Sequence, residues 1–568
     1  MFRLCRTIVI KAFALFLCLS FIFQQSMLVP VLASEITSDA SAGIGADITN
    51  NGNNWDIRPG FTHGSTDFGH FDQFNLSQGD IANLINSIGI NKFVALVNNQ
   101  VNINGLLNIL NNNGVFSNGH AVFVSPNGIV IGASGVLNVG ALSLITPSQG
   151  VYNNFVGGLK ANPVEDLTAL KTDSQGNITI NGKVFAREGV EIYGKDITVA
   201  GTGANSASIL AGLGEKLNNQ VLTAENSEQI FNGLVSNAIK NPTGFGLENG
   251  KVVIKAQSVN THSTGNEISS ASVNIKDASL IGESIEISAN ASDKLETKAG
   301  DALNIVNLGA NAQSIINIEN ANLAASGDIN LATNASNQIA ISYDAKDSNV
   351  LELALKNSTK STISIKNSEI NAGKDVSIKA VSENLILAGS DVSGAGIILN
   401  QGGKFNNSIN SSADVIFDGV NIDAENVNVL ATAKLGTAGD KEIAYKAGVA
   451  DITNDITQSS NIDFNNSTVK AKKSMNVKAR TETFLKQKIS ADTIAKSNLN
   501  VINNNNITIG KGSTLEANDL NFALDSKNTL HSESVTNANS KESLNPEAQA
   551  NLKLTINNAI NNSCLLYT

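Results

Sequence analysis

Two pairs of aspartates have the spacing and chemistry that acid–base catalysis would need. Asp418 and Asp423 lie five residues apart, and Asp451 and Asp455 lie four apart. Paired carboxylates act as general acid and base in glycoside hydrolysis. The chain has 50 acidic residues among 568, however, so pairs of this kind arise by chance on its surface. We therefore expect no catalytic residues and no enzyme activity.

Two histidines are the other candidates for chemistry, as metal ligands. His63 and His70 lie seven residues apart, and imidazole is a common zinc ligand. No third ligand follows at a suggestive spacing, so we expect structural or surface histidines and neither a metal nor a cofactor. The formal net charge of −11 leaves no basic surface for phosphates. We therefore expect no nucleic-acid partner.

The stretch Gly119–Pro147 has the most distinctive pattern in the chain. Its apolar residues come in pairs two positions apart, which is the period of a strand, and Ser, Pro, Asn or Gly interrupts them. Ser125-Pro126-Asn127-Gly128 fits a type I turn, because Pro presets the backbone at the second position while Ser and Gly suit the first and fourth. The stretch thus predicts very short strands joined by corners.

The composition argues against several compact domains. A length of 568 residues would suggest roughly three or four of them. Only 5% of the residues are aromatic, which is little for several separate cores. A thin, extended core fits this composition better.

From Val252 onward the sequence repeats with a drifting step of 44 to 51 residues. The anchors of the repeats are Ile285, Ile329, Val376, Val427, Met475 and Leu520. Constant strands and variable loops indicate a solenoid, in which corner asparagines would form side-chain ladders. Each repeat is long enough for two coils, so about twenty coils would form a rod on the order of 100 Å. Propeller blades of similar length are the alternative, but their usual aromatic signatures are absent.

A helical pattern interrupts the strands between residues 204 and 241. Ile230, Leu234 and Ala238 recur every fourth residue ahead of Pro242, which predicts a helix. A series with the same spacing suggests a second helix before it: Ile209, Leu213 and Leu217. We expect this insertion to pack against the side of the rod rather than to bind a membrane or a partner.

The N-terminus reads as a long secretory signal. Basic residues precede the apolar run Ala12–Phe23, and a linker follows that ends in Ala33, after which we expect cleavage. The alternative is a membrane anchor, for which this run is short. Two of the three cysteines lie in the signal, so the mature chain retains only Cys564. We therefore expect an exported protein that is stabilised without disulfides.

Several N-terminal motifs occur together. After the signal come Trp55-Asp56-Ile57, FDQFNL at Phe71–Leu76, and NGHAVFVSPNGIVIGASGVLNVGALSLITPS at Asn118–Ser148. This combination resembles the secretion domain of the filamentous haemagglutinin family, whose members are exported by two-partner secretion. The chain is most similar to the leukotoxin-type filamentous adhesins, in which the corner often reads Ser-Pro-Asn-Gly rather than the commoner Asn-Pro-Asn-Gly. The resemblance covers about Glu35 to Ser148.

The resemblance implies an all-β fold, a right-handed parallel β-helix (β-solenoid) with an N-terminal capping secretion domain. It implies that this domain contacts the periplasmic binding domains of a partner outer-membrane transporter barrel. The secretion-motif candidates that it selects are Ser125, Pro126, Asn127, Gly128, Ile129, Asn75 and Leu76. Whether Asn127 contacts the transporter or only holds the fold stays open at this stage.

The expected domains follow the chain in order. They are the signal at 1–33, the secretion domain at 34–150, β-helix coils at 151–203, the helical insertion at 204–241 and repetitive coils at 242–562. Residues 563–568 look anomalous, which suggests that the sequence is the N-terminal part of a longer chain.

The resemblance implies a non-enzymatic, secreted filamentous adhesin or leukotoxin-like exoprotein. It would reach the bacterial cell surface through the periplasm and outer membrane and bind a host-cell surface receptor or glycan. The alternative is a secreted β-helical polysaccharide lyase or hydrolase. Self-export through a fused C-terminal barrel is a third possibility.

Overall fold

The structure is a computed structural model. It describes residues 33–201, 207–214, 226–297, 306–341, 344–345, 352–387, 397–399, 403–437, 443–536, 541–556 and 560–567. The predicted signal lies outside the described residues, apart from its last position, Ala33, after which cleavage is expected. Within these ranges almost every element is a strand, and the strands form one long, mostly parallel sheet. The all-β solenoid class is confirmed, and the propeller alternative is wrong.

The elements follow one another in short succession. The strands of the N-terminal part are β1 Glu35–Ser38, β2 Asp47–Asn51, β3 Asn54–Arg58, β4 Phe61–His63, β5 Thr66–Leu76, β6 Ile81–Ile85, β7 Lys92–Val97, β8 Val101–Ile103, β9 Leu106–Leu110, β10 His120–Val124, β11 Ile129–Ile131, β12 Val136–Val139, β13 Ala141–Ile145, β14 Asn177–Ile180, β15 Lys183–Ala186, β16 Val190–Gly194, β17 Asp196–Ala200 and β18 Ala207–Leu210. Four helices lie in this part of the described chain: α1 Gln149–Gly158, α2 Thr168–Thr172, α3 Ser227–Lys240 and α4 Pro242–Phe245.

Longer strands follow the helices. They are β19 Lys251–His262, β20 Asn266–Lys276, β21 Ala278–Gly282, β22 Ser284–Thr297, β23 Val306–Glu319, β24 Asn322–Ala325, β25 Ile329–Ile341, β26 Asp344–Ala345, β27 Glu352–Lys366, β28 Glu369–Ala372, β29 Asp375–Leu387, β30 Ile397–Leu399, β31 Gly403–Asp418, β32 Asn421–Thr437, β33 Ile443–Asn465, β34 Thr468–Ile509, β35 Thr514–Thr536, β36 Lys541–Ile556 and β37 Ile560–Tyr567.

Parallel pairing arranges the strands in three stacks, and each coil contributes one strand to each stack. Stack A begins with the C-terminal half of β5 and continues through β8, β11, β14, β17 and β20. Stack B begins with β3 and continues through β6, β9, β12, β15 and β18. Stack C begins with the N-terminal half of β5 and continues through β7, β10, β13, β16 and β19. From β32 on, strands run through the corners, and β34 contributes to all three stacks.

The anchors of the sequence repeats are direct neighbours in stack C. Ile285 pairs with Ile329 and Ile329 with Val376, and the series continues to Leu520 in the same way. Each repeat is therefore one coil, and the prediction of two coils per repeat was wrong. Stack C contains twelve successive parallel pairings in the described chain. At the usual strand spacing this gives a rod of about 58 Å rather than the expected 100 Å.

The extra length of each repeat lies in a lateral extension. In the long coils the strands of stacks A and C run past the central core, as in the segment from Gln257 to Ala271 and its equivalents in later coils. The extension has its own apolar interior, which includes Leu295, Phe405 and Leu485. Buried hydroxyl and amide side chains separate this interior from the central core.

Polar residues at the corners follow a repeated geometry. Between stacks A and B the corner residue has a left-handed backbone in six successive coils: Asp277, Asn320, Asn367, Gly419, Asn466 and Gly512. Asn, Asp and Gly tolerate this conformation best. Asn320 Nδ2 donates to Asp277 Oδ1 at 3.2 Å one coil away, which is one step of the predicted corner ladder. A continuous asparagine ladder lies within the strands of stack B instead, at Asn83, Asn108 and Asn138.

Antiparallel strands cover the N-terminal end of all three stacks. β1 pairs antiparallel with β5 at the start of stack A, β2 with β3 at the start of stack B, and β4 with β5 at the start of stack C. An uncovered strand edge would invite pairing with another chain. The predicted N-terminal cap is therefore present.

The helices pack on the outer faces of the stacks. α3 contacts the outside of stack B through Val235 and Ala238, as predicted for the insertion. The second predicted helix was wrong: Ile209 lies in β18, where parallel partners on both sides override its helical spacing, and Leu217 lies outside the described residues. α1, which the sequence analysis missed, covers the outside of stack C with Tyr152. None of the helices in the described ranges is long and apolar enough to cross a membrane.

Residues near the end of the sequence continue the stacks. β37 pairs in parallel with β35 from Ile560 to Tyr567. The expected anomaly at residues 563–568 stays a prediction, although residues 564–567 pair in parallel with residues 519–522 of the preceding coil. Thr568 lies outside the described residues.

Candidate functional site

The predicted secretion motif forms the corner between stacks C and A. β10 ends at Val124 and β11 begins at Ile129, and each of these strands has a parallel partner on both sides. Short apolar strands of this kind hold the four residues between them in one place. The sequence-based prediction of a turn at 125–128 is confirmed.

Ser125 closes the turn from inside. Its side chain is 0% exposed. The hydroxyl donates to the carbonyl of Asn99 at 2.8 Å and accepts the backbone N–H of Asn127 at 3.2 Å. Ser125 therefore satisfies the first turn position with its side chain, as Ser and Asn commonly do.

Asn127 and Gly128 form the outer part of the corner. Asn127 is exposed, and its Nδ2 donates to the carbonyl of Asn98 at 2.6 Å. Gly128 has φ of 98°, and an added Cβ would lie 2.9 Å from the carbonyl oxygen of Asn177. The position therefore requires glycine for both its backbone angle and its space.

Equivalent corners in the preceding coils support this one. The backbone N–H of Asn98 donates to the backbone carbonyl of Phe71 at 2.9 Å, and Asn99 Nδ2 donates to the backbone carbonyl of Asp72 at 3.0 Å. We call these residues the corner ladder: Asp72, Asn98, Asn99, Ser125 and Asn127. Each corner is thereby hydrogen-bonded to the one before it, back to the first coil.

A buried polar cluster ties the corner ladder to the N-terminal cap and to α1. Asn98 Oδ1 accepts from the Tyr152 hydroxyl at 3.1 Å and lies 2.8 Å from His70 Nε2. Asn98 Nδ2 donates to Asp39 Oδ2 at 2.6 Å. His70 and Tyr152 are 2% and 1% exposed. One asparagine thus connects three elements that are far apart in sequence.

Charge in this cluster is stabilised locally. Partial burial opposes ionisation of Asp39, but hydrogen bonds from Ser41 and Asn98 outweigh it and hold the pKa of this carboxyl below its usual value. Burial raises the pKa of the Tyr152 hydroxyl, so Tyr152 stays a neutral donor. At neutral pH the Tyr152 hydroxyl therefore donates to Asn98, and the Asp39 carboxylate accepts from Asn98.

The remaining motif residues lie in stack A beside the corner. Asn75 and Leu76 are in β5, two strands from β11, with β8 between them. Leu76 and Ile129 are buried in the central core. Asn75 Oδ1 accepts from Asn102 Nδ2 at 2.8 Å one coil away. The structure therefore brings all seven candidates to one edge of the N-terminal coils, and Pro126 stands half-buried at the turn.

The residues considered for catalysis or metal binding are placed separately. His63 is exposed and stacks on Phe61 at 6.5 Å between ring centroids, away from the buried His70. Asp423 forms an ion pair with Lys472 at 3.3 Å, while Asp418 ends β31. Asp451 and Asp455 share one face of β33. In the described ranges no three His, Cys, Asp or Glu side chains are grouped so that they could hold a metal ion.

Sequence reasoning missed the partners of the corner. Ser148 caps α1 by accepting the N–H of Val151 at 3.4 Å, and Tyr152 and Val156 follow at helical spacing. Those residues were a detectable signal for a short helix. Asp39 and Asn98 had no such signal.

Comparison with known proteins does not assign this arrangement to a family. No family model matches the chain, and no curated protein matches it significantly.

Proposed function

We propose that this chain is a secreted filamentous adhesin or leukotoxin-like exoprotein of the two-partner secretion type. Its N-terminal domain, residues 34–150, is the part that a partner outer-membrane transporter recognises. The observation that supports this most is the Ser125–Gly128 corner, which holds Asn127 outward at the capped end of a parallel rod. The route leads through the periplasm and outer membrane to the cell surface.

The corner ladder suits recognition because it is fixed before a partner arrives. Ser125, Asn98 and Asn99 are held by hydrogen bonds from one coil to the next. A surface ordered in advance loses little conformational entropy on binding. Asn127 has both roles in this proposal: its amide nitrogen holds the corner, and its exposed side chain meets the transporter.

The rod suits export as an unfolded thread. In a solenoid each coil contacts only its neighbours, so coils can fold one after another onto the cap as the chain leaves a pore. Cys564 is the single cysteine between residues 34 and 568, so no disulfide forms within this part of the thread. Folding onto a template also covers each new strand edge soon after it forms.

The recognition role is tested with two exposed asparagines. Asn127→Ala removes the corner amide, whereas Asn113→Ala removes an exposed loop amide of the same domain. Both variants are expressed with the signal and the transporter in a Gram-negative host, and extracellular protein is measured beside the melting temperature of the purified chains. We expect at least a tenfold loss of secretion for Asn127→Ala only. Equal secretion of both variants would refute recognition at the corner.

The adhesin role is separated from the enzymatic alternative by turnover. The secreted chain is incubated with a polysaccharide panel and, in parallel, with host cells. Cell binding without release of reducing ends supports the adhesin. Release of reducing ends that Asp451→Asn and Asp455→Asn abolish would overturn it in favour of a β-helical lyase or hydrolase.

A further inference from the structure

An open cleft of about 310 Å³ lies on the outer face of stack C in the lateral extension. Its position follows from the strand register. Leu385 of β29 pairs with Gly436 of β32, and Phe484 of β34 pairs with Thr529 of β35. Gly436 and Phe484 come directly after Leu435 and Thr483, which are the last residues paired between β32 and β34. The four residues therefore form one column across four coils.

Gly436 makes the floor of the cleft. It has no side chain, and an added Cβ would meet only Leu385 Cδ1, at 3.9 Å. Leu385 and Phe484 stand on the two flanking strands, about 9.6 Å apart at the usual strand spacing. A slot one strand wide thus opens between an aliphatic and an aromatic side chain, both partly exposed.

A second column forms the rim on the same face. Each of its residues lies two positions before the first-column residue of the same strand. They pair in register across the four strands: Glu383, Lys434, Glu482 and Lys527. Charges of opposite sign alternate along it, and Lys434 Nζ lies 3.8 Å from Glu482. The rim therefore offers donors and acceptors with no net charge.

The geometry points to a neutral hexopyranose ring as the ligand of this slot. A pyranose has C–H faces that pack on Phe484 and Leu385 and hydroxyl groups at its edge that bond to both carboxylates and ammonium groups. The rim cancels its own charge, so it gives an anionic or cationic ligand little long-range attraction. Lys486 Nζ lies over the Phe484 ring, 5.3 Å from its centre, and adds one ammonium donor beside the slot. This inference rests on the proposed adhesin function and assigns a glycan-binding site to it.

The test fills the slot without disturbing the strand. Gly436→Leu places a side chain in open space, and Phe484→Ala removes the aromatic wall. Lys379→Leu is the matched control, because it adds an exposed leucine to the same face of β29 away from the slot. Saturation-transfer NMR is recorded on the full chain with the methyl pyranosides of glucose, galactose, mannose and N-acetylglucosamine. We expect transfer to at least one of them, and at least a tenfold loss in both slot variants but not in the control.

Two results would overturn the site: no transfer to any of the four glycosides, or equal transfer in Gly436→Leu and the unmodified chain. Binding of only sulfated or sialylated sugars would overturn the neutral class. Melting temperatures of Gly436→Leu and Lys379→Leu are compared to confirm that both fold. Transporter-dependent secretion of Gly436→Leu is expected to be unchanged, so failure of the export proposal and failure of this site give different results.

Discussion

Ser125→Ala tests how much the corner depends on one buried hydroxyl. The change removes the bond to the Asn99 carbonyl at 2.8 Å and the bond from the Asn127 N–H at 3.2 Å. Ser125 is 0% exposed, so water does not replace them. A buried group left without its partner costs about 1–3 kcal/mol. We expect the corner to lose about 2 kcal/mol.

Ser134→Ala is the matched control. Its hydroxyl also donates to an asparagine carbonyl of the previous coil, that of Asn104 at 2.7 Å, but Ser134 is exposed. Water replaces this bond, so we expect a loss below about 0.5 kcal/mol. Comparing the two variants isolates the effect of burial from that of the hydroxyl itself.

Hydrogen–deuterium exchange of peptides from Gly119–Pro147 measures the difference locally. A loss of 2 kcal/mol corresponds to about 30-fold faster exchange of protected amides. We expect this in Ser125→Ala and less than about threefold in Ser134→Ala. Equal exchange in the two variants would refute the claim that the Ser125 hydroxyl holds the corner.

Three further predictions concern acid, glycine and register. Burial, followed by the charge of Lys92, lowers the pKa of His120 to about 4. Below about pH 6.5 the unfolded chain binds a proton at this imidazole that the folded chain does not bind, so up to about 3 kcal/mol of the free energy of unfolding is lost as the pH falls to about 4. Urea titrations of His120→Gln should lack this loss. Gly128→Ala should lower the melting temperature more than Gly52→Ala, because Gly52 also has a positive φ, 75°, but its Cβ would meet nothing within 4 Å; equal shifts would contradict the close contact. Phe417 and Phe464 stack at 4.7 Å on adjacent coils, so a double-mutant cycle to alanine should give a coupling of about 1 kcal/mol, whereas zero coupling would contradict one coil per repeat.

Local chemistry made the strands and the corner predictable. The turn at Ser125–Gly128 follows from backbone preferences of four adjacent residues, and the anchor positions follow from side chains that repeat at fixed offsets. The same offsets later became direct pairs, such as Ile329 with Val376. The sequence therefore indicates which residues face the core, but it does not indicate how many coils separate them.

The number of coils was not predictable from the same pattern. In the lateral extension, as in the core, apolar and polar side chains alternate along each strand. The sequence of β29 therefore looks the same whether the chain turns at the end of the central core or continues into the extension as far as Leu387. Whether the strand continues depends on buried polar residues such as Ser382 and Asn384, whose side chains donate hydrogen bonds to the Thr359 hydroxyl on the facing strand. Contacts of this kind form only after the coils are stacked.

Contacts between residues far apart in sequence explain two errors of the sequence-based prediction, one at the corner and one in the helical insertion. Tyr152 and Asn98 meet although they lie 54 residues apart, because two coils bring the helix over the corner. Ile209 follows a helical spacing, but paired strands on both sides of β18 fix it as a strand. In both cases packing between coils outweighed the local pattern.

Transporter-dependent secretion tests the central claim most directly. The chain with its predicted signal is expressed in a Gram-negative host together with an outer-membrane transporter of the two-partner secretion type, either intact or without its periplasmic binding domains. We predict extracellular, surface-exposed protein only with the intact transporter, and periplasmic retention and degradation otherwise. Equal amounts of extracellular protein with the intact and the truncated transporter would contradict recognition of residues 34–150 and, with it, the proposed route of export.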